Sequence, residues 1–133
     1  MKLITKFEFD SAHRLVGYEG KCQALHGHRW VVELEIEGNC VDKIGMLWDF
    51  TNVRMLEHLF DHKTILKACM ENKQLIEAII DTCGSDSIYL MQTNPTAENL
   101  SREILGKLKK RNPGLRFKVK VFESPKSSCE ASI

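Results

Sequence analysis

His26 and His28 stand two residues apart at the start of an alternating apolar and polar run, so in an extended backbone both imidazoles project to the side of Trp30 and Val32. His13 closes a second such run, in which Leu3, Phe7, Phe9 and Ser11 share its parity. Three imidazoles converging on one apolar surface match the protein ligands of a catalytic zinc ion, whose fourth position is left for water or substrate. The alternative is three separate hydrogen-bonded histidines, and the His-x-His pair with a third inward histidine favours the metal.

Cys22 lies four residues before His26 and admits two roles. It is either the fourth ligand of a closed structural site or a nearby thiolate acting as a base, which the field of a metal would favour. The other four cysteines (Cys40, Cys69, Cys83 and Cys129) read as small apolar residues. Asp61 and His62 pair a carboxylate with an imidazole, a proton relay when the acid fixes the ring's tautomer. As sequence neighbours they are not expected to bond each other, and the pair gains meaning only where the fold brings it to Cys22 or the metal. Glu123 takes the inward parity of Val119 and Val121, and an ionised carboxylate on that face is costly unless paired or used. It reads either as half of a buried salt bridge or as an acceptor for adjacent N–H donors, as on the amino-pyrimidinone edge of guanine or a pterin.

The elements that must position these residues follow from periodicity. Strands are expected over the run from Leu3 to His13, over His28 to Glu37, and over the last run, where Leu115, Phe117, Val119 and Val121 face inward. Gly45 to Phe50 reads as a further strand leading into a helix over Thr51 to Phe60, with Asp49 and Thr51 as capping candidates. A second helix is expected over Lys73 to Cys83 with Gly84 as its stop, then a short strand over Ser87 to Gln92. Asn94-Pro95-Thr96-Ala97-Glu98 starts a third helix with Pro95 in its first turn. This order gives an α+β domain, a mainly antiparallel sheet packed on one side by helices, with the first and last strands as neighbours.

With 133 residues, 43% apolar and 28% charged, the chain has the size and balance of one soluble globular domain, residues 1–133. Lys plus Arg (19) against Asp plus Glu (18) leaves +1, which excludes a dedicated nucleic-acid binder. No stretch of about 18 apolar residues exists to span a bilayer, and the alternating first residues are unlike an export signal. Five unpaired cysteines then point to reduced thiols in the cytoplasm.

Six motifs spread over nearly the whole chain carry a resemblance: Phe9-Asp-Ser-Ala-His13, Cys22-Gln-Ala-Leu-His26-Gly-His28, Gly45-Met-Leu-Trp-Asp-Phe50, Leu59-Phe-Asp61-His62-Lys63, Asn94-Pro-Thr-Ala-Glu98 and Val121-Phe-Glu123-Ser-Pro125. The sequence resembles the 6-pyruvoyltetrahydropterin synthase and 6-carboxytetrahydropterin synthase family. The Glu-Ser-Pro ending and the Cys-x-x-x-His-Gly-His spacing are closer to its bacterial 6-carboxytetrahydropterin branch. The resemblance implies zinc held by His13, His26 and His28, Cys22 as the catalytic base, Asp61 and His62 as the proton relay, and Glu123 with Thr96 at the pterin ring. It implies the tunnelling fold (T-fold), a four-stranded antiparallel sheet with two or three helices on one side. It further implies a homohexamer built as a dimer of trimers, with active sites between subunits. The implied reaction is that of queuosine and deazapurine synthesis, 7,8-dihydroneopterin triphosphate to 6-carboxy-5,6,7,8-tetrahydropterin. The alternatives are a relative making the pyruvoyl product or acting on another pterin, and a non-catalytic pterin-binding or structural zinc protein.

Overall fold

Alternation along two long segments sets the centre of the fold. In the computed structural model, which describes residues 1–133, β1 (Lys2–His13) and β2 (His26–Glu37) pair antiparallel along their whole length, from Lys2 opposite Glu37 to His13 opposite His26. β5 (Arg116–Ser124) lies antiparallel on the other side of β2, and β6 (Ser127–Ser132) folds back along β5. β3 (Lys63–Lys67) runs parallel to β1, and β4 (Ile88–Met91) parallel to β3. The result is one mixed sheet in the order β4-β3-β1-β2-β5-β6.

The α+β class stands, with six strands in place of the expected four and with parallel pairing on one flank. The first and last strands are not neighbours, because β2 separates β1 from β5. Two strands escaped the periodicity. In β3, Ile65 and Leu66 are consecutive and both buried, so no alternation announces it. β6 is almost wholly polar and is held by backbone bonds to β5, which side-chain pattern does not report. The strand expected over Gly45 to Phe50 is absent, and turns take its place. Asp42 accepts the amides of Ile44 and Met46, Asp49 accepts that of Thr51, and Gly45 has a left-handed φ of 87°. Short acidic side chains there outcompete a strand ladder for the backbone.

The inward parity residues Phe7, Phe9, Trp30, Val32, Leu34 and Ile36 form one core with α1 (Asn52–Phe60) and α3 (Ala97–Arg111), which cover that face. α2 (Lys73–Cys83) begins and ends where the spacing predicts, with Gly84 at φ 88° closing it, but it buries no residue. Its Ile79 and Cys83 instead flank a groove shared with Asp10, Ala12, Gly27 and Arg29, whose parity is opposite to that of His13. Two of the three helices therefore share one side of the sheet. No helix is long and apolar enough to cross a membrane.

Candidate active site

The register of β1 on β2 sets His13 directly opposite His26, and Ser11 opposite His28. All three imidazoles point to the core side, above Trp30, whose ring meets those of His13 and His28 edge-on at 5.1 and 5.4 Å between centroids. One nitrogen from each of His13, His26 and His28 lies within 4.8 Å of the others, a group able to hold a metal ion. Neither Cys22 nor any carboxylate belongs to that group.

The hydrogen bonds of the rings show that the group suits a cation. His13 Nδ1 donates to the Pro95 carbonyl at 2.8 Å and His26 Nδ1 donates to the Ala24 carbonyl at 2.8 Å, since a carbonyl can only accept. With Nδ1 of each ring turned to a carbonyl, the two Nε2 atoms are left facing each other at 3.0 Å. Two lone pairs so close repel unless a positive ion sits between them. The spacing approaches the about 3.3 Å expected of two nitrogens bound at roughly 2.0–2.1 Å to a tetrahedral ion. His28 Nε2 is buried without a hydrogen-bond partner, so no protein group competes with an ion for it. Burial depresses the protonation of His13 and His28, with neighbouring imidazoles adding to the effect, so both rings stay neutral and ready to ligate.

That depression carries a sign. Just below the ordinary histidine value of about 6.5 the unfolded chain binds protons that the folded chain refuses, so stability falls as pH drops through this window towards the depressed folded values. The metal-free protein is expected to show a lower Tm at pH 5.5 than at pH 7.5, above the range in which carboxylates protonate. A Tm unchanged between those pH values would contradict burial as the cause.

The Asn94-Pro95-Thr96 corner supports the cluster from the far side of the chain. Pro95 precedes the helix rather than entering its first turn: Thr96 is the N-cap of α3, and its hydroxyl accepts from the Asn99 amide at 3.3 Å. Pro95 supplies the carbonyl that sets the His13 tautomer. Asn94 brackets Val16 with two bonds of 2.9 Å, one to its amide and one from the amide group of Asn94 to its carbonyl. The loop from Arg14 to Leu25, which carries Cys22, is thereby tied to the start of α3. Sequence reasoning missed these orienting roles of Asn94 and Pro95; their only local signal is the helix-start motif.

Cys22 is half-buried on a short 3₁₀ turn, Lys21–Gln23, and its carbonyl accepts the Leu15 amide at 2.9 Å. Glu123 sits at a break in the β5–β6 register between Phe122 and Ser124, so its side chain is half-exposed rather than buried. Its Oε1 lies 3.8 Å from His28 Nε2, beyond a hydrogen bond, and the neutral His28 ring offers no countercharge. The buried salt bridge is therefore not formed, and the carboxylate is free to accept.

Asp61 and His62 do bond each other, against the expectation for sequence neighbours. His62 turns to a left-handed φ of 56°, which lets its Nδ1 donate to Asp61 Oδ2 at 2.8 Å. The Asp10 amide donates to Asp61 Oδ1 at 3.0 Å, and this bond, together with His62, holds the Asp61 carboxyl below the usual carboxylate range. The His62 ring is 82% exposed and lines a groove with Asp10 and Arg29, which His28 of the cluster also borders. One chain thus assembles the dyad, and no hydrogen bond joins it to the histidine cluster.

The 6-pyruvoyl tetrahydropterin synthase family profile matches residues 2–132. The chain belongs to that family. Rickettsia felis 6-carboxy-5,6,7,8-tetrahydropterin synthase is 37% identical to it, over 98% of this chain and 99% of the relative. The Haemophilus influenzae protein of the same name is 30% identical, over 97% and 96%. Among solved structures, an uncharacterized protein from Wolinella succinogenes superposes with a TM-score of 0.78 at 20% identity, covering 98% of this chain and 97% of that one. Caenorhabditis elegans 6-pyruvoyl tetrahydropterin synthase does so with a TM-score of 0.67 at 24% identity, covering 100% and 95%. These likenesses show the fold, so the expected T-fold architecture holds with a longer sheet. Membership of the 6-pyruvoyl tetrahydropterin synthase family makes the chain a pterin synthase of the lyase type.

Proposed function

We propose that this chain is a zinc-dependent lyase of queuosine and deazapurine synthesis. It would convert 7,8-dihydroneopterin triphosphate and water to 6-carboxy-5,6,7,8-tetrahydropterin, acetaldehyde and triphosphate. The observation that carries this reading is the open cluster of His13, His26 and His28 beside an unpaired Glu123, in a chain whose full-length relatives are named for that product.

His13, His26 and His28 are the zinc ligands, each ring held by a backbone carbonyl or by packing on Trp30. Zinc, when bound there, supplies a Lewis acid that polarises oxygens of the substrate side chain. Glu123 accepts the N–H donors of the pterin ring, and Thr96, which follows the Pro95 that bonds His13, joins it there, although its hydroxyl also serves the helix cap. Cys22 takes the proton beside the ring, and His62, oriented by Asp61, relays another. Reduction of the ring is balanced by oxidation of its own side chain, so no redox cofactor enters.

Within one chain His62 bonds Asp61 and none of the three clustered histidines, so a second copy of the chain would have to bring another dyad to the cluster for the two to act together. This supports active sites between subunits, and with them the homohexamer, a dimer of trimers, that the family resemblance implies. The five free thiols fit a cytoplasmic setting.

Incubation of the zinc-loaded protein with 7,8-dihydroneopterin triphosphate, followed by mass spectrometry, tests the proposal. Carboxy-pterin and acetaldehyde are expected in equal amounts; a pyruvoyl product, or none, would reject it. Glu123→Ala should weaken pterin-ring binding by about 1.5–3 kcal/mol, the range for hydrogen bonds to a charged group, with zinc content unchanged. Titration calorimetry with a pterin lacking the side chain reads that loss directly.

A further inference from the structure

Arg29 and Asp10 form a forked ion pair beside the dyad, with Arg29 Nε 3.1 Å from Asp10 Oδ1 and Nη2 3.0 Å from Oδ2. The backbone of Asp10 meanwhile grips both members of the dyad. Its amide donates to Asp61 Oδ1 at 3.0 Å, and its carbonyl accepts the His62 amide at 2.8 Å. This places two carboxylates, Asp61 and Asp10, close enough to His62 for their charges to interact with it. Only Asp61 bonds the ring; both oxygens of Asp10 are occupied by the guanidinium.

An exposed ion pair contributes little to stability, and Arg29 and Asp10 are 67% and 48% exposed. Its geometry matters more. A planar fork binding a carboxylate through two parallel bonds fixes its orientation and offsets its charge, which makes it a weaker competitor for a further donor. We propose that Arg29 is a positioning residue for the relay: by occupying Asp10 it leaves Asp61 as the acceptor of His62 Nδ1–H, so the ring keeps one tautomer with Nε2 free to exchange a proton. Without the fork, Asp10 becomes a second acceptor for the imidazole and the ring divides between two partners. Glu8 lies 3.5 Å from Arg29 Nη1, and the other charged groups lining the surface around His62 are Arg54, Glu57, His58, Lys63 and Asp86. None of them is hydrogen-bonded to the His62 ring.

This inference rests on reading Asp61 and His62 as the relay, and its test separates the two. Imidazole ¹⁵N spectra of the labelled full-length, zinc-loaded protein, with His62 assigned from a His62→Gln variant, report the tautomer without substrate. The native ring is expected to carry its proton on Nδ1. In Arg29→Gln the two ring nitrogens should move towards averaged shifts. Turnover should fall roughly 10- to 100-fold, the range for lost orienting partners, with KM and zinc content unchanged. Adding Asp10→Asn to Arg29→Gln removes the competing carboxylate and should restore both the single tautomer and the turnover. A ring spectrum and turnover in Arg29→Gln within twofold of native, or a double variant no better than Arg29→Gln, would overturn the role of Arg29. Failure of the native protein to form carboxy-pterin would reject the reaction, while the ring spectra would still decide the positioning.

Discussion

Cys22→Ala is expected to keep its zinc and lose turnover by about 10²- to 10⁴-fold, the span associated with removing a general base. The three imidazoles gather without the thiol, so no ligand is lost with it. The loop should also survive, because its ties run through the Cys22 carbonyl to the Leu15 amide and through Asn94 to Val16, and none uses the sulfur. Metal analysis beside single-turnover kinetics reads both halves of the expectation. A variant that sheds its zinc would make Cys22 a ligand and return the site to a closed structural one. Mixing Cys22→Ala chains with His62→Ala chains extends the same experiment. Where each site draws its base from one chain and its relay from another, some mixed interfaces hold both intact residues and turnover reappears.

His26→Ala is expected to lower zinc affinity by more than about 100-fold, since loss of a mere orienting partner already costs 10- to 100-fold and here a ligand itself is removed. Turnover should fall with the metal. His26 is the informative ligand because its ring is half-exposed and its one bond to the backbone is to the nearby Ala24 carbonyl. His13, by contrast, is 1% exposed and tied to Pro95, so its replacement would mix metal loss with damage to the fold. A metal that binds the native state raises Tm by mass action. Added zinc should therefore raise the Tm of the native protein and leave that of His26→Ala unmoved, whereas an equal rise in both would exclude His26 from the shell.

The parts of the site legible in the sequence are those that local sterics decide. Side chains in an extended chain alternate, so His26, His28 and Trp30 had to share a face wherever the strand lay, and so did Phe9, Ser11 and His13. Helix ends were equally local: Gly84 stops α2 and Thr96 caps α3 through bonds spanning a few residues. The Gly45 to Phe50 strand was misread because its apolar residues suggested a ladder while Asp42 and Asp49 had already taken the backbone amides. β6 and β3 were missed because edge pairing and a doubly buried strand leave no period of two.

By itself the sequence determined the donor atoms, their parity and the family, because residue type and a repeat of two are carried by neighbours along the chain. Only the tertiary structure decided that His13 faces His26, that Pro95, 82 residues away, sets the tautomer of His13, and that the Asp10 backbone holds Asp61 against His62. Each of these depends on strand register and on bonds between distant segments, which form only when the chain closes on itself and which no local pattern encodes.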